Sequence, residues 1–184
     1  AQAIEQLIAG GDITIGALDS KSRIAPVTRN GKPVIITLSS SPTLSTPFSP
    51  WPSFDGGERC SLDLRLTPEL EKLAAWIDET VQAQMTASPQ TWYSKVPKNL
   101  DSLYNSCRRT ASKEGYSDTF RTKLSLREKS ASCKAWDLEK QTQMTVDELK
   151  GQDWPNTAIA AQVQLSGVYL QAATGYGPVL NVKT

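Results

Sequence analysis

The sequence predicts a mainly β fold with helical additions, arranged as a small Greek-key barrel or as an α+β sandwich. Three observations carry this. Residues 60–66 and 119–127 alternate apolar and polar side chains with the period of two that a half-buried strand requires. Residues 157–170 continue such an alternation over a greater length, broken by Gly167. Helical periodicity is confined to the middle of the chain, where Leu70, Leu73, Ile77, Val81 and Met85 form one stripe and Leu100, Leu103, Tyr104, Cys107 and Ala111 a second. The 184 residues fit one domain, with 1–30 as an N-terminal extension and 67–113 as a helical insertion.

Taken in order, Ile4, Leu7, Ile8, Ile13 and Ile15 form a weak apolar pattern broken at Gly10-Gly11. Asn30-Gly31 is a turn signal ahead of Val34-Ile35-Ile36-Thr37-Leu38, a β-branched run that reads as a buried strand. Residues 39–57 are rich in Pro and Ser and read as loop. Phe48, Trp51 and Phe54 are expected to pin that loop to the core. In 60–66, Cys60, Leu62, Leu64 and Leu66 face one side and Ser61, Asp63 and Arg65 the other. Thr67-Pro68 starts the first helix as N-cap and first helical residue, with Glu69 and Glu71 favoured by the dipole, and Ser88-Pro89 ends it. A second helix is expected over 99–113, closed by Gly115.

In 119–127, Phe120, Thr122, Leu124 and Leu126 point one way and Arg121, Lys123, Ser125 and Arg127 the other. Residues 133–138 are expected to return as its antiparallel partner, with Trp136 and Trp154 packed. Thr145-Val146-Asp147-Glu148-Leu149 reads as a helical turn. Gly167 marks a bulge or bend in the long strand, and residues 179–183 form a last strand that closes a hairpin with it.

The chain has no histidine, which removes every Ser-His-Asp and Cys-His arrangement and the commonest general base. Cys60, Cys107 and Cys133 are far apart in sequence, so no Cys/His zinc site is expected. A carboxylate metal site from Asp63, Glu69 and Glu71 is disfavoured because Asp63 lies on a strand and the glutamates suit a helix start. The expectation is a binding protein, not an enzyme, without metal or cofactor. No apolar run approaches the roughly 18 residues of a membrane span, and no signal peptide is visible. A reduced intracellular compartment, cytoplasm or nucleus, is expected.

Charge is segregated. Residues 92–134 hold ten Lys or Arg against four Asp or Glu, an excess of 10 − 4 = +6 in a chain whose net charge is +1. Trp92, Tyr93, Tyr104, Tyr116 and Phe120 are interleaved with these cations. A polyanion that also offers flat apolar faces, such as a single-stranded nucleic acid, fits this pattern. On charge alone, a solvated basic surface is the simpler reading.

The bulged long strand, the inserted helix and the short strands are compatible with an OB-fold, whose open face binds single strands. The order of features also resembles the OB-fold single-stranded DNA-binding proteins of large DNA viruses and their relatives, which are broadly like those of phages. The matching pieces are Gly31-Lys32-Pro33 with its Ile-rich strand, Thr46-Pro47-Phe48, Ser61-Leu62-Asp63-Leu64, Trp76-Ile77-Asp78 and Trp92-Tyr93-Ser94-Lys95. Phe120-Arg121-Thr122-Lys123-Leu124, Leu165-Ser166-Gly167-Val168-Tyr169 and Tyr176-Gly177 complete a collinear series over 30–184.

The resemblance implies sequence-tolerant binding of single-stranded DNA in replication or recombination, beside other proteins of those processes, in a virus-infected host cell. Lys95, Arg108, Arg109, Arg121, Lys123 and Arg127 would neutralise phosphates; Trp92, Tyr93, Tyr116 and Tyr169 would stack on bases, each with packing as the alternative. Arg121 and Lys123 lead, because strand geometry aims both at one face. The competing expectation is a protein-interaction or structural assembly module, docking through Phe48, Trp51 and Phe54. Neither DNA over RNA nor monomer over oligomer follows from these residues.

Overall fold

The computed structural model describes residues 2–38, 44–50, 59–125, 133–171 and 175–184. Arg127, Trp51 and Phe54 lie outside them. The element order is β1 (Gln2–Ala3), α1 (Ile4–Ala9), β2 (Thr14–Ile15), β3 (Ile24–Arg29), β4 (Lys32–Leu38), β5 (Arg59–Arg65), α2 (Pro68–Ala87), β6 (Arg108–Arg109), β7 (Thr119–Ser125), β8 (Trp136–Asp137), β9 (Thr142–Gln143), α3 (Val146–Lys150), β10 (Ala161–Gln171) and β11 (Gly175–Val182).

Mostly strand with a few helices, the chain builds a nine-stranded sheet along the path β1-β4-β3-β10-β11-β7-β5, with β2 added to β3 and β6 to β7. The path has two separate ends, and among the described residues no ladder joins β5 to β1. Among the described residues, therefore, the sheet does not close into a barrel. The apolar face that closure would turn inward is covered instead by α2, whose Leu70, Leu73, Ile77, Val81 and Met85 enter the same core as Phe120, Val163, Leu165 and Tyr176. Thr67 caps α2 by accepting the Leu70 N–H through its side chain, as the Thr-Pro start predicts.

β10 is the backbone of the sheet. Its first half pairs with β4 from Ala161↔Leu38 to Leu165↔Val34, its second half with β3 from Gly167↔Pro26 to Tyr169↔Ile24. The change of partner falls at the register shift between Leu165 and Gly167. The inserted residue also reverses parity: Ala161, Val163 and Leu165 are buried before it, Val168 and Leu170 after it. Glycine is required there because a Cβ at position 167 would collide with the Ala25 carbonyl oxygen and the Ile24 side chain. The Asn30-Gly31 turn has positive φ at both residues, 51° and 73°, as a tight hairpin between β3 and β4 demands.

Residues 24–29, in the N-terminal stretch, are strand β3 of the main sheet. Three expectations are corrected. Of the expected helical insertion over 67–113, the α-helix is Pro68–Ala87. Residues 99–113 make a 3-10 turn at Asp101–Leu103 and then run extended into β6. Ser, Thr, Asn and Cys are poor helix formers, and here the sheet takes their backbone: the Asn105 N–H donates to Tyr176 O (2.8 Å) and the Arg121 N–H to Cys107 O (2.8 Å). Finally, residues 133–138 do not pair with β7. Both edges of β7 are already occupied, by β5 on one side and by β6 and β11 on the other. Trp136–Asp137 pairs with β9 instead, and Trp136 stays 48% exposed against the packing expected of it.

Candidate nucleic-acid interface

The site grows from the cross-strand register of β5 and β7. Phe120, Thr122 and Leu124 are buried and Lys123 is exposed, the alternation read from the sequence. Asp63 lies directly opposite Arg121 and Ser61 opposite Lys123. Asp63 is only 5% exposed, yet its carboxylate is not orphaned. Arg121 grips it with two parallel hydrogen bonds, Nε to Oδ1 and Nη2 to Oδ2, both 2.8 Å. These bonds raise the affinity of the guanidinium for its proton.

On the other side of β7, β6 sets Arg109 beside Thr119. Arg109 and Arg121 together line two adjoining depressions. One is an open cleft of about 350 Å³ whose wall carries Phe48, Lys113 and Tyr116. The other is smaller and reaches Lys123 and Tyr169. The two share their central arginines, so the surface is continuous. Tyr116 is 64% exposed and Phe48 48%. Lys123 Nζ stands 5.7 Å from the Tyr169 ring centroid, in cation–π range. The Tyr169 ring passes over Gly177, where a Cβ would press on its Cε1 and hydroxyl. Burial raises the Tyr169 phenol above its ordinary value.

Arg109 Nε is buried and, among the described residues, has no hydrogen-bond partner. A buried donor left open at a cleft is a natural point of ligand contact. The loop between β6 and β7, which carries Lys113 and Tyr116, is held by Asp118. Its carboxylate accepts the Ala111 N–H (2.9 Å) and the Arg108 side chain (3.1 Å). The Ala111 bond above all holds the Asp118 carboxyl below its ordinary value.

The structure brings Arg109, Tyr116, Arg121, Lys123 and Tyr169 to one surface. It does not bring Trp92, Tyr93, Lys95 or Arg108 there. Trp92 donates its indole N–H to Gly16 O (2.9 Å) and packs against the core, as does Tyr93. They form no wall of the cleft. Arg108 points to acids, Glu71 at 3.3 Å and Asp118 at 3.1 Å. Phe48 and Lys113 enter instead. Phe48 was expected to pin its loop, and it faces the cleft. Lys113 sits in the basic stretch, so charge was its signal. Of the candidate metal carboxylates, Asp63 and Glu71 are both occupied by arginines.

No family model and no curated protein matches this sequence. Among solved structures the chain is similar to the single-stranded DNA-binding protein from bacteriophage Enc34 in complex with ssDNA. The identity is 11%, the TM-score 0.44, and the match covers 92% of each chain.

Proposed function

We propose that this chain binds single-stranded DNA with little sequence preference, by phosphate neutralisation and base stacking along β7. One observation carries the reading: cations and aromatic rings share a continuous surface. Arg109, Lys113 and Lys123 supply positive charge there, and Phe48, Tyr116 and Tyr169 supply rings. Base faces are accessible to such rings only when a strand is unpaired, so a single strand fits this surface and a duplex does not. Binding without catalysis, in replication or recombination where strands are transiently open, is part of the same proposal. Anisotropy titration with labelled oligo-dT and with a duplex of equal length tests it. The expected result is clear preference for the single strand; equal affinity for the duplex, or no binding to either, overturns it.

A second reading, a protein-interaction or assembly module, draws on Trp136 and Leu138. They are 48% and 77% exposed beside the β8–β9 ladder. Light scattering of the wild type and Trp136→Ala over a concentration series separates the two. An oligomer that Trp136→Ala dissolves, with no oligonucleotide affinity, favours the second.

A further inference from the structure

The most central cation of the surface is also the one whose charge is already matched. Asp63 lies beneath Arg121 and takes two of its five N–H donors through Nε and Nη2. The guanidinium plane is thereby fixed. Its remaining edge, formed by Nη1 and the second hydrogen of Nη2, is a fork of two parallel donors, and the side chain is 41% exposed. A phosphate approaching this fork also meets the Asp63 carboxylate, so little counterion release is gained. Pro47, Phe48 and Tyr116 line the same cleft and give it apolar and aromatic faces beside the charges of Arg109 and Lys113. Its volume of about 350 Å³ falls in the range of small-ligand sites, roughly 300–1,000 Å³.

We propose that Arg121 is a base-reading residue: held by Asp63, it presents its donor fork to the paired O6 and N7 acceptors of a guanine lodged in this cleft. Two adjacent acceptors on a base edge are the chemistry a planar fork matches; guanine offers them at O6 and N7, unpaired cytosine offers a pair at O2 and N3, and the larger purine gives the cleft's rings the greater face to stack on. This rests on the single-stranded DNA reading and adds to it a modest guanine preference over an otherwise tolerant surface. Phosphate neutralisation then falls to Arg109, Lys113 and Lys123.

The test compares oligo-dT with oligo-dT carrying spaced guanines, each titrated at several salt concentrations. Wild type should bind the guanine-containing strand roughly tenfold more tightly. Arg121→Ala should abolish that preference and leave the salt slope unchanged. Arg121→Lys keeps the charge and an ion pair to Asp63 but removes the fork; it should fold, keep the slope and lose the preference. If Arg121→Ala lowers the slope by about 0.7, the amount expected for one phosphate contact, Arg121 is a phosphate ligand and the proposal is overturned. It is equally overturned if Arg121→Lys retains the guanine preference. Both of those outcomes leave single-strand binding intact, whereas failure of every oligonucleotide to bind removes the underlying reading itself.

Discussion

Lys123, Tyr116 and Trp92 show how side chains of similar promise in the sequence separate once their surroundings are known. Lys123 is exposed on β7 at the Tyr169 ring, and Lys123→Ala should lower the salt slope of oligo-dT binding by about 0.7. Tyr116→Ala and Phe48→Ala should each weaken binding by about 1–3 kcal/mol per lost stack without changing the slope, by anisotropy. Trp92 is tied to Gly16 O, so Trp92→Phe should cost about 1 kcal/mol in urea unfolding and leave affinity unchanged. Strand alternation made Arg121 and Lys123 legible, because period two aims side chains without reference to the rest of the chain. The partner of Arg121 was half legible: Asp63 stood on the polar face of its own alternation, but only the β5–β7 register shows that it sits opposite. The fate of Trp92 was not legible, since its acceptor lies 76 residues away in sequence.

At the scale of elements, α2 was readable to its cap because its signals are local: Thr67, Pro68 and a stripe ending at Met85. The segment after it was not. Its apolar spacing matched a helix, yet Tyr104 lies against Tyr176 with ring centroids 5.2 Å apart and gives its hydroxyl hydrogen to Asp78 (2.6 Å). Gly175 holds this junction. Its φ is +90°, and a Cβ there would collide with the Leu103 carbonyl oxygen. Gly175→Ala should therefore lower the urea midpoint, with strain on the order of 1–3 kcal/mol. The β6–β7 loop carries a pH signature. Because the folded Asp118 carboxyl titrates below its ordinary 3.8, its contribution is complete above that value and is lost as pH falls through the lower folded one. Protection of the Ala111 amide against exchange, relative to its intrinsic rate, should hold down to about pH 4 and fall below it, and Asp118→Asn should remove this dependence.

For the molecule as a whole, the segregated charge of residues 92–134 divides by topology. Arg108 turns to Glu71 and Asp118, Arg121 to Asp63, and Arg109 and Lys123 line one depression on the face of β7. The open sheet matters to this division: with α2 covering the apolar face, the opposite side of β5, β7 and β11 is left to the cleft. That arrangement depends on long-range pairing and on the buried Asp63, neither of which charge counting reveals. We propose that this face holds single-stranded DNA through Arg109 and Lys123. The most direct test is the salt dependence of oligo-dT binding by wild type and by the Arg109→Ala/Lys123→Ala double variant. The predicted result is a wild-type affinity that falls linearly on a log–log plot, with a slope smaller by about 1.4 in the double variant, two contacts at about 0.7 each. A slope identical in the two proteins, or no salt-dependent binding by the wild type, would contradict it.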